Sequence, residues 1–521
     1  KARQQPEKVK QVIEKVGTDG LTATIDAVRS KLSQPLPLGY SNVGIVDELG
    51  RDVHDFKIGD RVVSNGAHSD VVVVKKNLCI RIPDNVDNES ASFTVVASIA
   101  LQGVRLALPT IGEAFVVIGA GVIGLLTVQI LRANGCRVLA VDFDEEKLML
   151  AKSFGAEVLR PGEGDEYLSK ADSFSRGNGV DGVIITASTK SNDPIKQAAR
   201  MCRQRGRVIL VGVIGLDLDR ADFYEKEISF QVSCSYGPGR YDPDYEEKGH
   251  DYPIGFVRWT EKRNFEAVLD MMASGLLDVY PLITSRYDFL DAKNAYEELT
   301  KNPSGLGIIL DYQSDDVGRL ERAVDLATIR NFSSAEPVLG FIGAGNYASR
   351  VLMPAFKKAG CHLHTVVTSS GINSVIHGKR MGFRLASTDI DAMLSDESIN
   401  TAVIVTQHHS HADFVIKCLK AGKNVWVEKP LCIDMESLVA IESAYNQAHG
   451  AATTPGPQLM VGFNRRFAPQ VQKMRQLLSG VSGPKSFIIT INAGYIPNEH
   501  WTQDLSIGGG RIIGEACHFI D

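Results

Sequence analysis

The feature that most constrains this chain is a glycine-rich stretch that occurs twice: "VIGAGVIG" at 117–124 and "FIGAGNYA" at 341–348, each at the end of an apolar run. Such a turn, with a strand before it and a helix after it, belongs to parallel α/β sheets, where the chain must reverse sharply and pack the helix back on the strand. In the first copy Gly119 allows the sharp turn, Gly121 lets the backbone approach a pyrophosphate, and Gly124 lets the helix pack close. The helix N-terminus then offers free N–H groups and the positive end of its dipole to the phosphates. In the second copy Gly343 and Gly345 hold the first two places, Asn346 follows them, and Ala348 stands in the third, where a methyl still permits close packing.

The surrounding pattern agrees. From 113 onward strands "EAFVVIGA", "RVLAVD", "VDGVIITA" and "GRVILVG" alternate with helices over 122–134, 145–154 and 193–202. From 338 onward "VLGFIGA", "HLHTVVT", "TAVIVT" and "NVWVEK" alternate with helices over 346–359, 372–381 and 410–421. The fold class read from this is α/β, with two Rossmann-type doubly wound parallel sheets. Residues 35–83, rich in Gly, Val and Asp, read as a small β-barrel or open sandwich before the first sheet. The charged, then Ser-rich stretch 313–336 reads as a linker. After the second sheet, "LMVGF" reads as a strand and "KSFIITINAG" as the first strand of a further α+β domain.

The strands that follow the two cradles differ. The first ends in Asp142, whose carboxylate can accept from a ribose 2′-OH, so this site is expected to take NAD(H). The second ends in "TVVTSSG", where Thr368 and Ser369 can bond a hydroxyl or a phosphate, with Lys379 and Arg380 downstream; this site is open to NAD(H) or NADP(H).

Composition narrows the partners. Lys and Arg total 56 and Asp and Glu 62, and the net charge of -6 gives no basic field for nucleic acid and no block for an anionic membrane surface. No apolar run approaches the ~20 residues that span a bilayer, and "KARQQPEKVKQVIEKV" lacks the apolar core of a signal peptide. Eight scattered cysteines without a CxxC pair argue against a disulfide framework or a zinc ribbon and fit a reducing cytoplasm. A small-molecule substrate and a homo-oligomer are expected, without nucleic acid or membrane.

In the first half, "PLGYSNVGIVDELG", "FKIGDRV", "GAGVIG" and "GRVILVG" fall in the order of the medium-chain dehydrogenase/reductase superfamily, which this half resembles. In the second, "GFIGAGNYA", "EKP" at 428–430, "VGFNRRFAP" at 461–469 and "GGGRIIGEACHFID" at 508–521 resemble the Gfo/Idh/MocA oxidoreductases. Together they look like the bacterial bi-domain oxidoreductases that fuse the two modules. The resemblance implies a partial GroES-like domain over 1–107, completed by about 281–312, a Rossmann domain over 108–280, the linker 313–336, a second Rossmann domain over 337–455, and the start of a substrate domain over 456–521. It also implies a chain shortened at both ends.

The resemblance extends to the sites. Zinc-dependent relatives of the first half carry Gly-His-Glu where this chain has Gly39, Tyr40 and Ser41, and a phenol is a poor zinc ligand at neutral pH. The four-cysteine zinc lobe is also missing, and His68 and Cys79 read as structural, so no metal is expected. The aromatic and basic loop 235–259, with Arg240 and Tyr241, is a candidate substrate contact. In the second half Glu428, Lys429 and Pro430 map to the cofactor side, Lys429 and His518 to the acid–base pair, and Asn464 and Arg465 to the substrate side. Relatives place an Asp where this chain has Gly514. His411, after Ser410, reads as a helix cap. The function implied is a zinc-independent, bifunctional nicotinamide oxidoreductase for a carbohydrate or sugar nucleotide. Two other readings are open: a zinc-free quinone or enone reductase with a supporting second module, and a non-catalytic NAD(H)-binding redox sensor.

Overall fold

The computed structural model describes residues 37–162, 166–302, 304–313, 321–327, 336–450, 456–492, 494–498 and 500–521. The chain divides into two compact units, Lys1–Asp316 and Val317–Asp521.

In the first unit β4 (Ala114–Ile118), β5 (Arg137–Val141), β6 (Glu157–Leu159), β7 (Val180–Ile185), β8 (Cys202–Leu210) and β9 (Ser229–Val232) form one parallel sheet in the order β6-β5-β4-β7-β8-β9. The central strand "AFVVI" is buried along its whole length, as expected of a strand covered by helices on both faces. Its two faces feed two apolar clusters, one around Phe115, Val117, Leu125 and Val138 and one around Val116, Leu139, Val183 and Ile195. The order reverses between β4 and β7, and at such a switch the strand ends leave a crevice for ligands.

Ahead of this sheet, β1 (Asn42–Ile45), β2 (Arg61–Ser64) and β3 (Cys79–Arg81) pair antiparallel. β10 (Ile283–Asp288) and β11 (Gly307–Asp311) pair parallel in a sheet of their own. The barrel expected over 35–83 is thus a three-stranded sheet among the described residues, and strands from 281–312 do not extend it.

The second unit repeats the plan: β15 (Leu385–Ser387), β14 (His362–Val367), β13 (Val338–Ile342), β16 (Thr401–Ile404), β17 (Asn424–Val427) and β18 (Leu459–Val461) are parallel in that order. β12 (Ala323–Asp325) adds antiparallel at the β15 edge. Three expectations are corrected here. Part of the stretch read as linker is β12, because its backbone completes the free edge of β15; residues 314–320 and 328–335 of that stretch lie outside the described residues. "LMVGF", assigned to a further domain, supplies β18 to this sheet. "KSFIITINAG" forms no strand over its described residues: Phe487, Ile488 and Ile489 are exposed, and an extended segment without a paired neighbour has no ladder to hold it.

Candidate functional sites

The first cradle has the geometry its glycines require. Gly119 has φ +101, and a Cβ there would lie 2.7 Å from the Ala187 nitrogen. A Cβ on Gly124 would lie 1.9 Å from the Gly119 carbonyl oxygen. Around Gly121 nothing lies within 4 Å of the corresponding position, so the space a pyrophosphate needs is open. Asp142 follows β5 and faces the same turn: one carboxylate oxygen accepts the Ala120 N–H at 2.6 Å and the other the Asp144 N–H at 3.0 Å. Its carboxylate is therefore fixed in place, with lone pairs left over on each oxygen.

The second cradle follows suit. Gly343 has φ +102 with a would-be Cβ 2.3 Å from the Val405 carbonyl oxygen, and Gly345 again faces open space. Gly343, Gly345 and Asn346 line a cavity of about 1400 Å³ that also takes in Thr368, Ser369, His408, Glu428, Lys429, Asn464, Arg465 and His518. The Thr368 hydroxyl accepts the Gly371 N–H at 3.2 Å, closing the turn after β14.

At the far end of this cavity β17 delivers Glu428, Lys429 and Pro430. The Lys429 Nζ donates to the Gly514 carbonyl at 2.9 Å, which joins the end of β17 to the segment carrying His518. Gly514 explains a departure from the family pattern. A Cβ there would meet the Gly508 carbonyl at 2.8 Å and the His408 ring at 3.1 Å, so no carboxylate fits and a main-chain oxygen receives the lysine instead. The neighbouring Glu515 turns to Arg511 at 3.0 Å. His518 is buried, and its Nδ1 has no hydrogen-bond partner among the described residues. Burial, then the charges of Lys429 and Arg465, hold its pKa below the usual imidazole value. Glu428 accepts the Lys429 backbone N–H with one oxygen, while its Oε1 is buried without a partner among the described residues. Burial pushes this carboxyl up to about 7, opposed by Lys429.

The sequence reading of His411 is corrected. It does not cap its helix: fully buried, its Nδ1 faces the Pro430 carbonyl at 2.7 Å and its Nε2 the Thr406 carbonyl at 3.1 Å. It braces the chain just beyond Lys429. His408 was not singled out in the sequence. Its Nδ1 meets the Gly508 carbonyl at 2.8 Å, Trp501 sets its edge on the ring at 4.9 Å between centroids, and burial pushes its pKa down to about 4. The signal available was the cluster "HHSH" after a strand. Of the residues expected on the substrate side, Asn464 donates to the Tyr347 hydroxyl at 2.8 Å, and the Arg465 guanidinium carbon lies 4.0 Å from the centre of the Phe519 ring.

In the first unit the loop contacts are turned inward. Arg240 pairs with Glu246 at 2.5 Å and stacks near Tyr236 and Tyr241, so its guanidinium is engaged within its own loop, while Tyr241 is exposed. Tyr40 is exposed, His68 bonds the Tyr296 hydroxyl at 2.6 Å, and among the described residues no three His, Cys, Asp or Glu side chains are placed to hold an ion. No helix among the described residues is long and apolar enough to cross a membrane.

Comparison with known proteins agrees with this architecture. Residues 10–84 match the alcohol dehydrogenase GroES-like domain, 122–248 the zinc-binding dehydrogenases, and 338–454 an oxidoreductase family with an NAD-binding Rossmann fold. An uncharacterized zinc-type alcohol dehydrogenase-like protein of Escherichia coli is 25% identical over 52% of this chain and 80% of its own length. D-guloside 3-dehydrogenase of Escherichia coli is 28% identical over 52% of this chain and 75% of its own length. The crystal structure of 2R,3R-butanediol dehydrogenase from Bacillus subtilis aligns with a TM-score of 0.44 at 23% identity, over 53% of this chain and 80% of that one. The chain is an NAD(P)-dependent oxidoreductase. More particularly, it joins a medium-chain dehydrogenase module and a Gfo/Idh/MocA module in one polypeptide.

Proposed function

We propose that the second module oxidises or reduces a CH–OH carbon of a carbohydrate or sugar nucleotide, with Lys429 on the reacting oxygen and His518 as the proton carrier. A nicotinamide dinucleotide bound along Gly343, Gly345, Asn346, Thr368 and Ser369 supplies the hydride acceptor or donor. The observation that carries this reading is the Lys429–Gly514 bond, which brings the end of β17 and the His518 segment to one cavity with the cradle. Lys429 donates to the substrate hydroxyl oxygen and offsets the negative charge that grows there as its proton leaves. His518, kept neutral by burial, accepts that proton on a ring nitrogen and returns it in the reverse direction. His411 holds the Pro430 carbonyl and so the approach of Lys429. The relatives named as D-guloside 3-dehydrogenase and D-xylulose reductase match over 281 and 308 residues, too long a stretch for the second unit alone, and so support a sugar class at the first module; at the second module that class rests on the resemblance to the Gfo/Idh/MocA oxidoreductases.

The test is Lys429→Ala, expected to lower turnover by roughly 10²–10⁴ while NADH affinity, which rests on backbone N–H groups, stays as it was. Near-normal turnover in the variant would sink the assignment.

The first module is read as a second, zinc-independent dehydrogenase that binds NAD(H), which makes the chain bifunctional. Tyr40 at the ligand position and Asp142 beside the cradle support it. Elemental analysis of protein purified without chelator is expected to find no stoichiometric zinc; one zinc per chain would overturn the zinc-free reading.

A further inference from the structure

The charge on the wall of the second cavity is lopsided. Its titratable groups are Tyr347, His408, His409, His411, Glu428, Lys429, Arg465 and His518. Burial keeps His408, His411 and His518 below the ordinary imidazole range. Glu428 is the one carboxyl of that lining, next in sequence to the lysine read above as meeting the reacting oxygen. That leaves Arg465 with no carboxylate among the described residues, and the contrast with its neighbour is direct: Arg466 donates from Nε to Asp521 at 2.8 Å and is neutralised. Arg465, an exposed side chain on the lining of the cavity, instead sets its guanidinium carbon 4.0 Å from the centre of the ring of Phe519, the residue after His518. The phosphates of a dinucleotide have their own donors, the N–H groups of the Gly343–Asn346 turn. A planar guanidinium with no carboxylate partner among the described residues matches a carboxylate or a phosphate through two parallel N–H···O bonds.

We propose that the substrate of the second module is an acidic sugar, carrying a carboxylate or a phosphate, and that Arg465 binds this anion. The inference rests on the carbohydrate reading above and narrows it to one class. Asn464, the residue before the arginine, donates to the Tyr347 hydroxyl, and both are uncharged members of the same lining.

The experiment loads the full chain with NADH and measures binding of three probes by calorimetry: D-glucuronate, D-glucose 6-phosphate and D-glucose. At least one acid is expected to bind about 10- to 100-fold more tightly than glucose, the range of a charge-assisted hydrogen bond. Which acid leads tells carboxylate from phosphate. Arg465→Gln is expected to bring that acid down to the level of glucose, Arg465→Lys to keep part of the preference, and NADH to bind all three proteins alike. Equal binding of glucose and both acids by the wild type, or an acid preference that survives in Arg465→Gln, would overturn the proposal. So would an equal loss of NADH and acid affinity, which would assign Arg465 to the cofactor. Glucose binding alone would remove the acidic class and leave the carbohydrate reading standing; binding of none of the three would remove both.

Discussion

The two glycine turns agree at their first two positions and part at the third. Gly119 and Gly343 have the same left-handed backbone, φ +101 and +102, and their N–H groups bond the ends of β5 and β14 at 2.8 and 2.9 Å. At the third place the first module needs a glycine, because a methyl would strike the Gly119 carbonyl. The second holds Ala348 fully buried, where the helix begins with a wide turn over Ala348–Leu352. A turn closed five residues on is broader than an α-turn, and the extra width takes the methyl. The third glycine thus answers to the first turn of the helix, whereas the first glycine answers to the backbone itself. The acids differ too: Asp142 is held by two N–H groups, and the corresponding strand of the second module ends in hydroxyls.

The comparison can be broken most sharply at the two open glycines. Gly121→Asp and Gly345→Asp put a carboxylate where a pyrophosphate would lie, in space that no protein atom occupies. Each is expected to abolish NADH binding in its own module, since like charges in contact cost several kcal/mol, and to leave the melting profile unchanged. Equilibrium titration should then count one NADH per chain in each single variant and none in the double. If either variant kept both sites, its turn would not be a phosphate cradle.

A smaller effect separates the two cofactor preferences. In the Gly345→Asp background only the first site remains, and NADH is expected to exceed NADPH by roughly 1–3 kcal/mol, the cost of leaving the buried side of Asp142 without its ribose hydroxyl. Equal affinities would mean that Asp142 serves only to hold the Ala120 and Asp144 N–H groups.

Much of this was legible in the sequence because it is local. A strand, a glycine turn and a helix within thirty residues declare themselves through apolar runs and the steric needs of Gly119 and Gly343, and both sheets follow from their repetition. What lay beyond the sequence depends on distant partners. β12 is three residues, "AVD", and becomes a strand only because β15 has a free edge. "SFIITI" has every local mark of a strand and has no strand paired with it among the described residues. His411 looks like a cap until Pro430, nineteen residues away, is seen at its Nδ1. The substitution of Gly514 for an acid reads as a lost function in one dimension, while in three the lysine meets the main-chain oxygen of that same residue.

The buried carboxyl of Glu428 also makes the second unit a proton-linked one. Its pKa stands at about 7 when folded against an ordinary value near 4.5, so across that interval the folded chain holds a proton that the unfolded chain has released. The stability this contributes is fully present below about 4.5 and is lost as pH rises through about 7. Denaturant unfolding at pH 5 and pH 8 is expected to reveal a decline to which Glu261, pushed by burial up to about 8 in the first unit, also contributes, and Glu428→Gln, which cannot ionise, is expected to lessen it. An unaltered slope in that variant would place the linkage elsewhere. Near neutrality, then, small changes of pH shift the occupancy of a single proton just past the end of β17, next to Lys429.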